Sequence, residues 1–142
     1  MVWSIPINKI GWKSGYLKSD CDGYVSAAIL LNYLHRVFPA TVENNFSYGV
    51  HANKHHGIGS KFTDDISLVV VPDASSNEND LHKELIAKGI KVIVLDHHQA
   101  EKDSEDAAII VNNQMCDYPN KALCGGGIVY KFCKVLDDML GV

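Results

Sequence analysis

The sequence predicts an α/β fold: a mainly parallel, five-stranded, Rossmann-like sheet with helices on both faces. Two observations carry this reading. Ser67 to Pro72 and Ile90 to Leu95 are continuous apolar runs rich in β-branched residues, the pattern of strands covered on both sides. Segments of helical period alternate with them, and strands separated by helices join as parallel neighbours through right-handed crossovers.

Val2 to Ile7 alternates apolar with small or polar residues and reads as an edge strand, its pairing limited by Pro6. Tyr16 to Lys18 reads as a short strand. From Tyr24 the spacing of Val25, Ala28, Ile29, Leu31, Leu34 and Val37 predicts a helix that stops before Pro39. Thr41 to Tyr48 is β-prone and is expected to be the next strand. His51 to Asp65, rich in Gly, His and Lys and without a period, reads as a loop. Asn77 to Lys88 is predicted helical, with Leu81, Leu85 and Ile86 on one side and Gly89 ending it. Ala107 to Val111 adds a strand. Gly125-Gly126-Gly127 opens a last helix, to about Leu140, that turns Ile128, Val129, Phe132, Val135, Leu136 and Leu140 inward. The chain holds no internal repeat, low-complexity tract or linker.

With 142 residues and 46% hydrophobic content the chain is read as one domain with a substantial core. No apolar stretch reaches the roughly 20 residues that span a bilayer, and the N-terminus lacks a signal-peptide pattern, so no membrane association and a cytoplasmic location are expected. Cys21, Cys116, Cys124 and Cys133 lack CxxC spacing, which argues against a structural zinc site and for reduced thiols. The formal charge of -4 excludes a broadly basic protein that coats nucleic acid. That sum includes the carboxylates a divalent ion would neutralise, so it does not exclude local phosphate binding.

Chemistry concentrates at predicted strand ends. Asp96-His97-His98 follows Val92-Ile93-Val94-Leu95, and Asp73 follows Val69-Val70-Val71-Pro72. Asp20-Cys21-Asp22-Gly23 leads into the first helix. The carboxyl ends of strands are where open α/β sheets place their sites. Asp20 and Asp22, two apart in an extended segment, point the same way and can reach one ion, but either can instead cap the helix that follows. Asp73 in Asp-Ala-Ser-Ser-Asn is also good turn chemistry. Mixed carboxylates and imidazoles favour manganese or a similar ion, and phosphate chemistry suits such a set. Gly125 to Gly127 put N–H groups at a helix N-terminus, which reads equally as an anion site or as a flexible turn. Around His51, Lys54 and His56 are either a solvated polar loop or contacts to a substrate phosphate.

Taken together, these residues resemble the DHH family of phosphoesterases. Asp20-Cys21-Asp22-Gly23-Tyr24-Val25-Ser26 is similar to its first motif, Asp73 to its second and Asp96-His97-His98 to its third. Within the family, Asn113-Gln114, Cys116 to Lys121 and Leu123 to Phe132 resemble the RecJ-like branch, metal-dependent exonucleases that degrade single-stranded DNA from the 5′ end. The resemblance implies that Asp20, Asp22, Asp73 and His97 ligate one or two Mn2+ or Mg2+ ions. It implies Asp96 and His98 as the catalytic pair that orients the site and meets the scissile phosphate, and Lys54, His56 and Gly57 as a substrate loop; Gly125 to Gly127, in the anion-site reading, are further substrate-binding candidates. The implied reaction is phosphodiester hydrolysis of single-stranded DNA by metal-activated water. Partners would be that DNA and proteins of repair, recombination or phage replication.

Where many family members carry an acid or histidine before the first motif, this chain has Tyr16, Lys18 and Ser19. The fourth acidic motif and a second, substrate-binding domain are expected beyond Val142, since Asp137 and Asp138 fall inside the last predicted helix. The chain is therefore expected to be an N-terminal piece of a longer protein or a shortened relative, slow or inactive alone. Two other readings stand beside the exonuclease: a phosphodiesterase of oligoribonucleotides, cyclic dinucleotides or pyrophosphate, and a weakly active or inactive binding module.

Overall fold

The computed structural model describes residues 10–11, 20–47, 58, 66–101 and 108–142. In chain order these form β1 (Ile10–Gly11), α1 (Cys21–Val37), α2 (Pro39–Asn45), β2 (Phe46–Ser47), β3 (Leu68–Pro72), α3 (Asn79–Ala87), β4 (Lys91–Asp96), β5 (Ile109–Asn112) and α4 (Gly125–Leu140).

Among the described residues the expected five-stranded sheet is corrected to a three-stranded one, β3-β4-β5, all parallel. The short β1 and β2 bond to each other as a separate parallel pair, and β1 lies against β3. The predicted strands at Val2 to Ile7 and Tyr16 to Lys18 lie outside the described residues, as do Lys54, His56 and Gly57. Thr41 to Tyr48 is the second correction. Pro39 at the first helical position, where its missing N–H costs nothing, starts α2, and the β-prone Thr41 and Val42 follow it into the helix. Among the described residues of that segment, Phe46–Ser47 is extended.

Alternation along the strands divides the core in two. Val70 and Leu95 face α1 and α4, where they pack with Ala27, Leu30, Tyr33, Ile128, Val129 and Cys133. Val69, Val71, Val92 and Val94 face the other side and pack with Leu85 of α3, Ile66 and Ile90. Helices thus cover both faces, as the period-two strand pattern requires. Each fully buried Val or Leu contributes about 1.5–3 kcal/mol relative to exposure, which is what holds the strands in register.

That register pairs Pro72 with Leu95 and Asp96 with Asn112. The Asp73 N–H donates to the Leu95 carbonyl at 2.7 Å, extending the ladder by one residue. Asp73, Asp96 and Asn112 therefore emerge together at one end of the sheet.

Candidate metal centre

Asp73 is 1% exposed and has φ +62, a left-handed backbone that short polar side chains tolerate best. Its neighbour Ser75 also has positive φ, so the chain leaves β3 through a sharply bent turn. The bend turns the Asp73 carboxylate toward His97.

The His97 Nε2 atom lies 3.1 Å from Asp73 Oδ1 and 3.2 Å from Asp22 Oδ2. A neutral imidazole has one N–H to give, so two carboxylates gathered on a single ring nitrogen suit a divalent cation better than a proton. Ligand atoms of Asp73, His97 and His98 all lie within 4.8 Å of one another. Carboxylate oxygen and imidazole nitrogen are the donors that manganese, iron and zinc accept, so the residues present fit a resident divalent ion.

Asp22 reaches the centre from α1. Its Oδ2 accepts from the Gly125 N–H at 2.7 Å and its Oδ1 from the Gly126 N–H at 3.0 Å. Cys124, the residue that precedes α4, makes no side-chain cap bond, so Asp22 caps this helix from 103 positions away. Burial works against its charge, but the Gly126 and Gly125 amides, the Cys124 thiol and the His97 ring outweigh burial and hold the carboxyl below its usual range. The anion at the α4 N-terminus is thus the chain's own, and the Gly125 and Gly126 N–H groups are engaged by Asp22.

Asp20 takes the other role the sequence left open. It is the N-cap of α1, with Oδ1 accepting from the Gly23 N–H at 3.1 Å, and it stays outside the Asp73–His97–His98 group. The structure brings Asp22, Asp73, His97 and His98 together.

Asp96 is turned inward. It is 1% exposed; Oδ1 accepts from the N–H groups of His97 at 2.8 Å and His98 at 3.2 Å, and Oδ2 accepts from the Ser76 N–H at 3.1 Å. The His98 ring adds its Nδ1 at 2.6 Å. Burial again opposes the charge, yet the bonds from His98 and Ser76 prevail and hold the carboxyl below its usual value. Bonding at Nδ1 fixes the His98 tautomer whose lone pair is on Nε2, the arrangement found behind metal-ligating or proton-accepting histidines.

Two contributors escaped the sequence reading. Asn112, 4% exposed, donates from Nδ2 to the Ser76 hydroxyl at 2.8 Å and to the His98 carbonyl at 2.9 Å. Ser76 itself is 2% exposed. A signal for Asn112 was available, because it ends an apolar strand as Asp73 and Asp96 do. A cavity of about 510 Å³ opens beside β5, lined chiefly by apolar residues with Tyr118 and Lys131. Of the residues around the centre only Asn112 lines it, so the acids and histidines lie outside.

At the strand ends of this parallel α/β sheet, acids and histidines of the kinds that hold a divalent ion come together. The chain belongs to the DHH family, matching its N-terminal domain over residues 14–141. It is 43% identical over 124 residues to the SPbeta prophage-derived single-strand DNA-specific exonuclease YorK of Bacillus subtilis (strain 168), and equally to YorK of Bacillus phage SPbeta. It is 29% identical over 125 residues to the single-stranded-DNA-specific exonuclease RecJ of Bacillus subtilis (strain 168). These matches cover 86% and 82% of this chain but only 21% of YorK and 15% of RecJ. Among solved structures, exonuclease RecJ bound to manganese superimposes with a TM-score of 0.74 at 21% identity, over 95% of this chain and 34% of that one. RecJ of Thermus thermophilus in complex with Mn2+ gives 0.68 at 21% identity, over 95% of this chain and 19% of that one. Among the described residues no helix is long and apolar enough to cross a membrane.

Proposed function

We propose that the chain carries the metal centre of a single-stranded-DNA exonuclease, hydrolysing phosphodiester bonds with Mn2+ or Mg2+. The observation that carries the proposal is the His97 ring nitrogen shared by Asp22 and Asp73, with His98 held beside it by Asp96. Kinship with YorK and RecJ supplies the substrate class.

In this reading Asp22, Asp73 and His97 hold the ion, and Asp20 adds a carboxylate from the α1 cap. A bound divalent ion lowers the pKa of water and offsets the charge that develops on phosphoryl oxygens. His98, its tautomer fixed through Nδ1, presents the Nε2 lone pair to a proton in transfer and, once protonated there, donates to a phosphate oxygen. Asp96 keeps that ring in place and does not itself meet substrate. Lys54 and His56 are retained as phosphate contacts. Gly125 to Gly127 serve the substrate indirectly, by letting α4 approach and by fixing Asp22. Two relatives come from a Bacillus phage and its prophage, which favours phage DNA turnover as the setting.

The test is digestion of end-labelled single-stranded DNA with Mn2+, alongside Asp73→Ala and His97→Ala. Metal-dependent release of nucleotides that both substitutions abolish is the expected result. Equal digestion by all three proteins would remove the proposal, and preference for a dinucleotide or pyrophosphate would replace its substrate.

A further inference from the structure

We infer that Asn112 is a positioning residue of this centre, acting on His98 through a closed ring of hydrogen bonds that joins the ends of β3, β4 and β5. The inference rests on the hydrolytic reading above for its consequence, though not for its geometry.

The Gln114 N–H donates to Asn112 Oδ1 at 2.8 Å, which decides the orientation of the amide: the oxygen faces Gln114, and Nδ2 faces away from it. The two Nδ2 hydrogens then have two acceptors, Ser76 Oγ at 2.8 Å and the His98 carbonyl at 2.9 Å. Ser76 returns the connection by giving its N–H to Asp96 Oδ2 at 3.1 Å. Asp96 Oδ1 receives the His98 N–H and sits against the His98 ring nitrogen, so the ring closes on the residue where it began.

Direction matters in this circuit. Asn112 Nδ2 is purely a donor, so the Ser76 hydroxyl must accept from it and turns its own proton elsewhere. The Ser76 backbone N–H donates to Asp96 Oδ2 at 3.1 Å, so Ser76 joins Asn112 on one side to Asp96 on the other. Asn112 thus holds Ser76 in the place from which its N–H fixes Asp96 Oδ2, leaving Asp96 Oδ1 to His98. It also holds the His98 carbonyl, fixing the backbone on one side of the ring while Asp96 fixes the imidazole. Ser76, Asp96 and Asn112 are each at most 4% exposed, so water does not replace a lost partner cheaply.

The experiment compares wild type, Asn112→Asp and Ser76→Ala by hydrogen exchange of individual amides and by Mn2+-dependent hydrolysis of an oligonucleotide. Asn112→Asp keeps the shape and the acceptor for Gln114 while removing both donors. Exchange at the Ser76 and His98 amides is expected to rise about ten-fold, while amides in the middle of α1 and α4 keep their protection. The turnover number is expected to fall about 10- to 100-fold with KM little changed, as for residues that orient a metal-site histidine. Unchanged local exchange would overturn the inference, and so would loss of protection throughout α1 and α4 in both variants. If Asn112→Asp alone fails to fold, Ser76→Ala decides, because it breaks the same ring and must show the same local rise at His98. With hydrolysis assayed in the longest natural form of the protein, an inactive wild type would remove the nuclease reading, and the exchange result would still decide the ring.

Discussion

Gly125 lies so close to Asp73 that a β-carbon on it would stand 2.3 Å from Asp73 Oδ1. No real contact is that short, and the carboxylate is buried in a bent turn with no room to retreat. The same carbon would stand 2.8 Å from the Ser26 hydroxyl, which is buried and has no hydrogen-bond partner among the described residues. The glycine at the start of α4 is therefore what lets α4 deliver its N–H groups to Asp22 while Asp73 keeps its place on His97.

Gly125→Ala is accordingly expected to destabilise the fold by about 1–3 kcal/mol through overpacking and to weaken Mn2+ binding. Gly89→Ala is the contrast: with φ +79 and nothing within 4 Å of its added carbon, it should cost only the left-handed penalty of about 1–2 kcal/mol and leave Mn2+ binding unchanged. Chemical denaturation and metal titration of both variants check this. Equal Mn2+ affinity in the two would refute the close-approach argument.

Asp20 combines a cap with a proposed ligand, and two substitutions separate them. The cap uses Oδ1 on the Gly23 N–H. Asp20→Ala should lose about 1 kcal/mol of stability, whereas Asp20→Ser, an equally good cap, should lose almost none. Serine brings no second carboxylate oxygen, so Mn2+ affinity should fall in both. Melting curves with and without metal read the two effects separately, and a serine variant with wild-type affinity would confine Asp20 to capping.

Metal binding should itself stabilise the fold, since Asp22 on α1, Asp73 after β3 and His97 after β4 meet at one point only in the native state. At Mn2+ a hundred-fold above its dissociation constant the gain is about 2.7 kcal/mol, and EDTA should reverse it. Asp73→Ala should abolish the metal-dependent shift of the melting temperature. Retention of the full shift would mean that the ion binds elsewhere.

The parts of the fold that were legible in sequence are those in which one local pattern leaves one solution. Val69 to Val71 are buried, as are Val92, Val94 and Leu95 beside a half-buried Ile93, and their position as neighbouring parallel strands followed directly. Thr41 and Val42 show the limit: their β preference is worth less than the helix start provided by Pro39. In the site, the acids and histidines were visible by type and by strand-end placement, but their division of labour was not. Asp20 and Asp22 differ only in direction, and direction is decided by α4, more than a hundred residues on. Asp96 was placed in the site by its strand end and by the family resemblance, neither of which shows which way its carboxylate turns. Its inward turn depends on Ser76, in the turn after β3, and on Asn112, at the end of β5.

Away from the metal centre, the α1–α4 interface predicts how the protein responds to alkali. Asp137 of α4, 9% exposed, pairs with Arg36 at 3.1 Å and stands beside Tyr33 and Cys133. Burial first, then the Asp137 carboxylate, pushes the Tyr33 hydroxyl from 10.0 up to about 12. The same two causes push the Cys133 thiol from 9.0 up to about 11. Both groups stay protonated in the native state at pH values where the unfolded chain has released those protons. The unfolded state then binds fewer protons than the native one, so stability falls as pH rises. The loss should begin near pH 9, where the unfolded thiol titrates, and continue to about 12, where the native hydroxyl does. Replacing Cys133 by alanine removes the lower part of that slope and leaves the Tyr33 part, at the cost of a small cavity. Denaturant midpoints measured from pH 7 upward check the sign and the window, and an alkaline slope in Cys133→Ala identical to wild type would show that the thiol does not contribute.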